Sequence, residues 1–334
     1  MSIIIVTPAI SGSKAGNRAT AERWQGLLMA AGHSVSVMTE YSGEPCDALI
    51  ALHAWRSVGA VRRFRQAWPG NPLIVALTGT DIYHHQHEFP QDTLYSMAEA
   101  DALIGLHALV KKDIPARYAC KLVTLFQSAD GPDAYPSAEP TSANPVFNVC
   151  VIGHLRDEKD SLRAAYAARL LPAESRIRIL CAGKSHNKKW QKMALQERQQ
   201  NPRFNWLGEL EKADTRQLMA NSHSMVISSV MEGGANVVSE ACRVGLPVIA
   251  SDIPGNLGLL GEDYPGYFPV KDEKALADRL YQAEQDPDFL ARLKAQIDIL
   301  AERFVPENEQ ASLAQALNLA VQLCAGRKKP NPGV

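Results

Sequence analysis

The chain has 334 residues, 46 % hydrophobic and 21 % charged, with 35 Lys and Arg against 36 Asp and Glu for a net charge of -1. That length allows about two domains, each able to hold a core without a disulfide or metal staple. The balanced charge offers no polycationic face, which argues against nucleic acid as a partner and against stable membrane association.

The opening MSIIIVTPAI has no basic stretch before it and no small-residue cleavage site after it, so it reads as a buried first strand and not a signal peptide. No uninterrupted apolar run reaches the length of a membrane span. The cysteines (Cys46, Cys120, Cys150, Cys181, Cys242 and Cys324) form no C-x-x-C pair and several sit in strand-like runs, the pattern of buried thiols in a reduced, cytoplasmic protein.

Short apolar runs alternate with amphipathic stretches, which predicts an α/β chain with parallel sheets wound on both faces. Strands are expected at 2–7, 33–38, 47–52, 73–77, 101–105 and 121–125, with helices at 17–31 and 55–68. Residues 128–146, SADGPDAYPSAEPTSANPV, hold four prolines and read as an extended connector. The alternation restarts with strands at 146–152, 176–182, 203–207, 223–228 and 246–250, a helical stretch at 272–303, and a last helix of about 308–324 after Pro306. The expected division is a first domain at 1–130, a linker at 131–145 and a second domain at 146–305. The segment 306–325 is expected to pack back on the first domain. Two doubly wound domains imply a cleft, with ligands beyond the carboxyl ends of the strands.

After the first strand, TPAISGSKAGNRAT places Gly12, Ser13, Lys14, Gly16, Asn17 and Arg18 at a helix start, an arrangement suited to a small anion. It is neither G-x-G-x-x-G nor a Walker loop, so no dinucleotide or ATP cofactor is expected. Thr78-Gly79-Thr80-Asp81 follows the strand at 73–77 and leads to His84, His85 and His87. Adjacent histidines rarely face one ion, so this run reads as a polar loop at the cleft edge rather than a metal site. Asp286-Pro287-Asp288 reads as a helix N-cap rather than a metal-binding D-x-D. No metal or cofactor is therefore expected.

In the second half, Gly153-His154-Leu155-Arg156-Asp157-Glu158-Lys159-Asp160 puts two cations at a strand mouth, where they suit a diphosphate. Phe204-Asn205-Trp206-Leu207-Gly208 is a strand ending in glycine. Met231-Glu232-Gly233-Gly234-Ala235-Asn236-Val237-Val238-Ser239-Glu240-Ala241 runs from a strand through a glycine loop into a helix start near Ala235. Unpaired N–H groups there favour a diphosphate, with Glu232 and Glu240 on either side of it for sugar and ribose hydroxyls.

Together these elements resemble the family-4 GT-B glycosyltransferases. The resemblance implies two Rossmann-like domains and a donor site of Gly153, Arg156, Lys159, Leu207, Glu232, Gly233, Gly234, Ala235, Asn236, Val237 and Glu240. It gives Glu232 the donor sugar, Glu240 the ribose and Lys159 the diphosphate, so that Lys159, Arg156 and Glu232 form the catalytic set. Where the family has Arg after the first glycine, this chain has His154, and Arg156 is the candidate replacement.

TPAISGSKAGNRATAERW, ALHAWRS, ALTGTDIY, GHLRDEKD and the long run from Glu232 to Val270 further resemble the selenosugar synthases of selenoneine biosynthesis. That resemblance implies a UDP-sugar donor, chiefly UDP-N-acetylglucosamine, and selenophosphate as acceptor. The acceptor would meet the Gly12–Arg18 loop and Thr78, Gly79, Thr80 and Asp81, with His53 also at a strand end. The residues leave open a glycosyltransferase with an oxygen or nitrogen acceptor, a UDP-sugar epimerase and a nucleotide-sugar-binding scaffold.

Overall fold

The computed structural model describes residues 1–10, 12, 16–134 and 146–327. Ser13, Lys14 and most of the expected linker lie outside the described residues. The chain divides into one unit of Met1–Gln127 with Pro306–Val334 and a second of Ser128–Val305.

The first unit runs β1 (Ser2–Val6), α1 (Gly16–Ala30), β2 (Ser34–Met38), β3 (Ala48–Leu52), α2 (Val58–Ala67) and β4 (Leu73–Leu77). A π-helical turn (Asp81–His85) follows, then α3 (Gln86–Glu88), α4 (Pro90–Glu99), β5 (Ala102–Gly105), α5 (Val110–Asp113) and β6 (Leu122–Thr124). The strands form a sheet in the order β2-β1-β3-β4-β5-β6, every pair parallel. β3 and β4 are buried at every position, as continuous apolar runs between helical layers must be. The expected helix at 55–68 starts only at Val58, because His53 adopts a left-handed φ of 74° and the chain turns before the helix begins.

The second unit runs β7 (Phe147–Ile152), α6 (Arg163–Ala168), β8 (Ile177–Ala182), α7 (Lys188–Gln200), β9 (Phe204–Gly208), α8 (Lys212–Ala220) and β10 (Ser224–Ile227). It continues through α9 (Asn236–Arg243), β11 (Val248–Ser251), α10 (Pro254–Leu260), β12 (Tyr267–Phe268), α11 (Glu273–Gln285) and α12 (Pro287–Ala301). Its parallel sheet has the order β12-β11-β10-β7-β8-β9. The stretch 272–303 is two helices, because Pro287 cannot continue α11 and Asp286 caps α12 by accepting the Phe289 N–H at 3.0 Å. β12 is too short to show a period in the sequence. Residues 128–134 belong with this unit: Ala129 N–H donates to the Phe304 carbonyl at 3.1 Å, and Asp130 pairs with Lys212 at 2.8 Å.

The last helix, α13 (Pro306–Arg327), completes the first unit. It buries Leu313, Ala316, Leu317 and Ala320 in one cluster with Ile3, Ile5, Trp24 and Ile104. Its Glu309 carboxylate is fully buried and accepts from Trp24 Nε1 at 2.7 Å and Arg23 Nε at 2.8 Å. The opposite face of the sheet packs Phe64, Met97, Val110 and Tyr41. No helix among the described residues is long and apolar enough to cross a membrane.

Candidate active site

Each sheet reverses its winding once, between β1 and β3 in the first unit and between β7 and β10 in the second. Crevices for ligands lie at such points. Lys159 and Glu232 come from the loops after β7 and β10, so the reversal in the second sheet brings them together although 73 positions separate them.

Lys159 sits at the end of a 3₁₀ turn (Asp157–Lys159) that follows Arg156. Two hydrogen bonds tie this turn to the β10 loop: Val230 N–H donates to the Glu158 carbonyl at 2.9 Å, and the Ser228 side-chain Oγ to the Asp160 carbonyl at 2.9 Å. Lys159 Nζ consequently meets Glu232 Oε1 in an ion pair. The same oxygen accepts from Ser229 Oγ at 2.5 Å. Glu232 is nearly buried, with 8 % of its side chain exposed, whereas Lys159 keeps 19 %. Arg156 is more open, and its Nε lies 3.7 Å from Glu158 Oε2, too long for a hydrogen bond.

Gly233 is buried and leads to α9, whose N-cap Ala235 has no side chain to accept a first-turn N–H. A helix start of this kind presents positive charge to an incoming anion. Gly234, Asn236 and Val237 are half-buried at this start, and Glu240 is half-buried further along the helix. Two glycines pack the surroundings. A Cβ on Gly183 would lie 1.9 Å from the Gly153 carbonyl oxygen, and one on Gly255 would lie 2.3 Å from that of Glu232. Gly153 itself has a φ of 153°. Leu207 is exposed near the end of edge strand β9.

The groups that support Glu232 lie outside these motifs. Ser251 Oγ donates to the Ser229 carbonyl at 2.6 Å, and Asn256 Nδ2 donates to the Ser251 carbonyl at 2.9 Å. Pro254-Gly255-Asn256 after β11 is the one signal of them, a tight start to a helix packed close against backbone.

In the first unit, Gly12 is exposed with a φ of 76°, and Gly16 and Asn17 begin α1. Arg18 Nε donates to Glu22 Oε1 at 2.6 Å, and Arg18 shares a groove of about 460 Å³ with Glu40 and Glu44. The expected anion ligand Arg18 is thus held in an exposed pair with Glu22 four residues on, and two further carboxylates line its groove. Asp81 is completely buried and accepts the N–H groups of Ala54, Thr78, Gly79 and Ile82. It therefore fills the turn's own anion nest and joins the β3 and β4 loops, and cannot reach an acceptor directly. Thr78 and Thr80 are partly exposed, and Thr80 Oγ1 is 2.9 Å from His53 Nε2. His53 Nδ1 accepts the Arg56 N–H at 3.2 Å, which places the ring proton on Nε2 and directs it at Thr80. Burial holds the His53 pKa below its usual range, so the ring is neutral at pH 7.

The three histidines diverge. His84 pairs with Glu88 at 2.5 Å, His85 Nδ1 donates to the Thr80 carbonyl at 2.8 Å and stacks on Trp55, and His87 is exposed. Arg56, which no motif singles out, is exposed beside these rings and has no ion-pair partner among the described residues.

Solved structures share this architecture across nearly the whole chain. Sucrose-phosphate synthase from Thermosynechococcus elongatus superposes with a TM-score of 0.75 at 16 % identity, covering 97 % of this chain and 99 % of that one. HepE (Alr3699) from Anabaena, solved with UDP-glucose, gives 0.74 at 16 % identity, covering 95 % and 99 %. The pneumococcal O-GlcNAc transferase GtfA, solved with UDP and GlcNAc, gives 0.62 at 17 % identity, covering 82 % of this chain and 57 % of that one. The chain has the GT-B glycosyltransferase fold, and its residues 138–298 match the family described as Glycosyl transferases group 1.

Proposed function

We propose that the chain is a UDP-sugar-dependent glycosyltransferase that joins selenophosphate to C1 of UDP-N-acetylglucosamine. The observation that carries the donor half is the meeting of Lys159 and Glu232 at the second sheet's reversal, directly before the start of α9. UDP and UDP-glucose bound to the similarly folded HepE support the same choice of donor. The selenium half is supported by the sequence resemblance alone.

In this reading the diphosphate lies on the N–H groups at Ala235–Val237, with Lys159 and Arg156 supplying positive charge as it leaves. Glu232 accepts from a sugar hydroxyl and Glu240 from the ribose. A selenium lone pair of selenophosphate forms the bond to C1 while the bond from C1 to the diphosphate oxygen breaks, releasing UDP. Water then cleaves the P–Se bond to give phosphate and the 1-selenosugar. Selenophosphate arrives as an anion, so the first step needs no general base. In the first unit, Thr78, Thr80 and Arg56 offer donors to that anion, and His53 and Asp81 hold the two loops that carry them.

The test is mass spectrometry of products from the purified protein with selenophosphate and UDP-N-acetylglucosamine. A 1-selenosugar with stoichiometric UDP is expected. UDP release with an alcohol or amine acceptor but not with selenophosphate would replace the acceptor and keep the donor assignment. UDP binding without turnover of any acceptor would reduce the chain to a nucleotide-sugar-binding protein.

A further inference from the structure

Glu232 Oε1 holds two hydrogen-bond donors, Lys159 Nζ and Ser229 Oγ, while Oε2 has no hydrogen-bond partner among the described residues. The two donors differ in permanence. Lys159 is partly exposed on a long flexible stem, and a diphosphate beside it competes for its charge. Ser229 is fully buried and has a short side chain. Its backbone is fixed from behind by Ser251 Oγ on its carbonyl at 2.6 Å, and Ser251 Oγ is in turn held by Asn256 Nδ2 at 3.1 Å. On the other side, Gly255 packs against the Glu232 carbonyl so closely that a Cβ would stand 2.3 Å from it.

We infer that Ser229 is a positioning residue that fixes which carboxylate oxygen of Glu232 meets the donor sugar and so sets discrimination between sugar epimers. The inference rests on the donor site proposed above. When Lys159 turns to the diphosphate, Ser229 alone keeps Oε1 occupied, so Oε2 stays aimed at the ligand. A carboxylate pinned in this way accepts from a hydroxyl in one direction only, and an epimer with that hydroxyl inverted leaves the pair unmade. Released from Ser229, the carboxylate rotates and accepts from either arrangement.

The test compares Ser229→Ala and Ser229→Thr with the unmodified protein, once thermal melting has shown that each variant is folded. Calorimetry measures UDP and UDP-N-acetylglucosamine affinity, and kinetics measure kcat/KM for UDP-N-acetylglucosamine against its C4 epimer, UDP-N-acetylgalactosamine. Ser229→Ala is expected to bind UDP as before, to lose affinity for the UDP-sugar, and to lower the epimer ratio by about tenfold. Ser229→Thr, which keeps the hydroxyl, is expected to restore most of the ratio. An unchanged ratio in Ser229→Ala overturns the inference, whether or not UDP-sugar affinity changes. If the unmodified protein binds no UDP-sugar, the donor reading itself fails. The positioning is then decided by ligand-free crystal structures, in which Ser229→Ala is expected to show the Glu232 carboxylate rotated or in more than one orientation. The same single orientation as in the unmodified protein overturns the positioning as well.

Discussion

Glu232 lies before α9 and Glu240 within it, so under the proposed function they meet different parts of the donor. Glu240→Ala is expected to weaken UDP itself by about 1.5–3 kcal/mol, the worth of one hydrogen bond to a charged group, because a ribose contact survives in the product. Glu232→Ala is expected to leave UDP affinity nearly unchanged and to weaken the UDP-sugar. Calorimetric titration of both variants with both ligands checks the division, and equal losses of UDP affinity would remove it. Lys159 carries a separate expectation. Its charge matters most as the bond to the diphosphate breaks, so Lys159→Ala should lower kcat by roughly 10²-fold. A rise in KM at constant kcat would instead make it a residue of uniform binding. The substitution also removes one of the two donors on Glu232 Oε1, so UDP-sugar affinity is measured alongside.

At the scale of elements, α13 behaves as a helix of the first unit although it is last in the chain. Its attachment has an apolar part, Leu313 to Ala320 against the sheet, and a polar part, the buried Glu309 carboxylate shared by Trp24 and Arg23 of α1. Glu309→Ala leaves the Trp24 N–H unpaired in a closed space. The expected loss is about 1–3 kcal/mol, read by chemical denaturation, with faster amide exchange in α1 and α13 than in the second unit. Exchange that rises equally in both units would show that α13 stabilises more than the sheet it packs on. The helix was visible in the sequence from Pro306, whose fixed φ suits a helix start. Its buried carboxylate was not, because Glu309 reads as a first-turn residue that favours the helix dipole.

For the molecule as a whole, the stability of the first unit has a built-in pH dependence. His107 is fully buried and accepts the Leu109 N–H on Nδ1 at 3.2 Å, so it carries its proton on Nε2, 2.7 Å from the Tyr83 hydroxyl. Burial lowers its pKa from 6.5 to about 4. The unfolded chain therefore takes up this proton near pH 6.5 and the folded chain only near pH 4. Stability from this group is complete above that window and falls as the pH drops through it, by on the order of 3 kcal/mol. Denaturation measured from pH 7 to 4 should show the decline in the unmodified protein and a shallower one in His107→Gln. Parallel slopes would assign the decline to other groups.

The amino-acid sequence by itself determined the class of fold, because the alternation of apolar strands with amphipathic helices leaves parallel sheets as the way to bury both sets of faces. It also placed Glu232, Lys159 and the start of α9 beyond strand ends, since glycines and charges there break the apolar pattern. The tertiary structure decided which of these residues meet. Lys159 and Glu232 become neighbours only because β7 and β10 pair in the sheet, and strand order is a long-range choice that no local pattern encodes. Burial likewise gave Asp81 to its own backbone, and the fold put Glu40 and Glu44 in one groove with Arg18. The support of Glu232 by Ser229, Ser251 and Asn256 joins β10 to β11 and α10 through short polar side chains, which in a linear sequence are indistinguishable from loop residues.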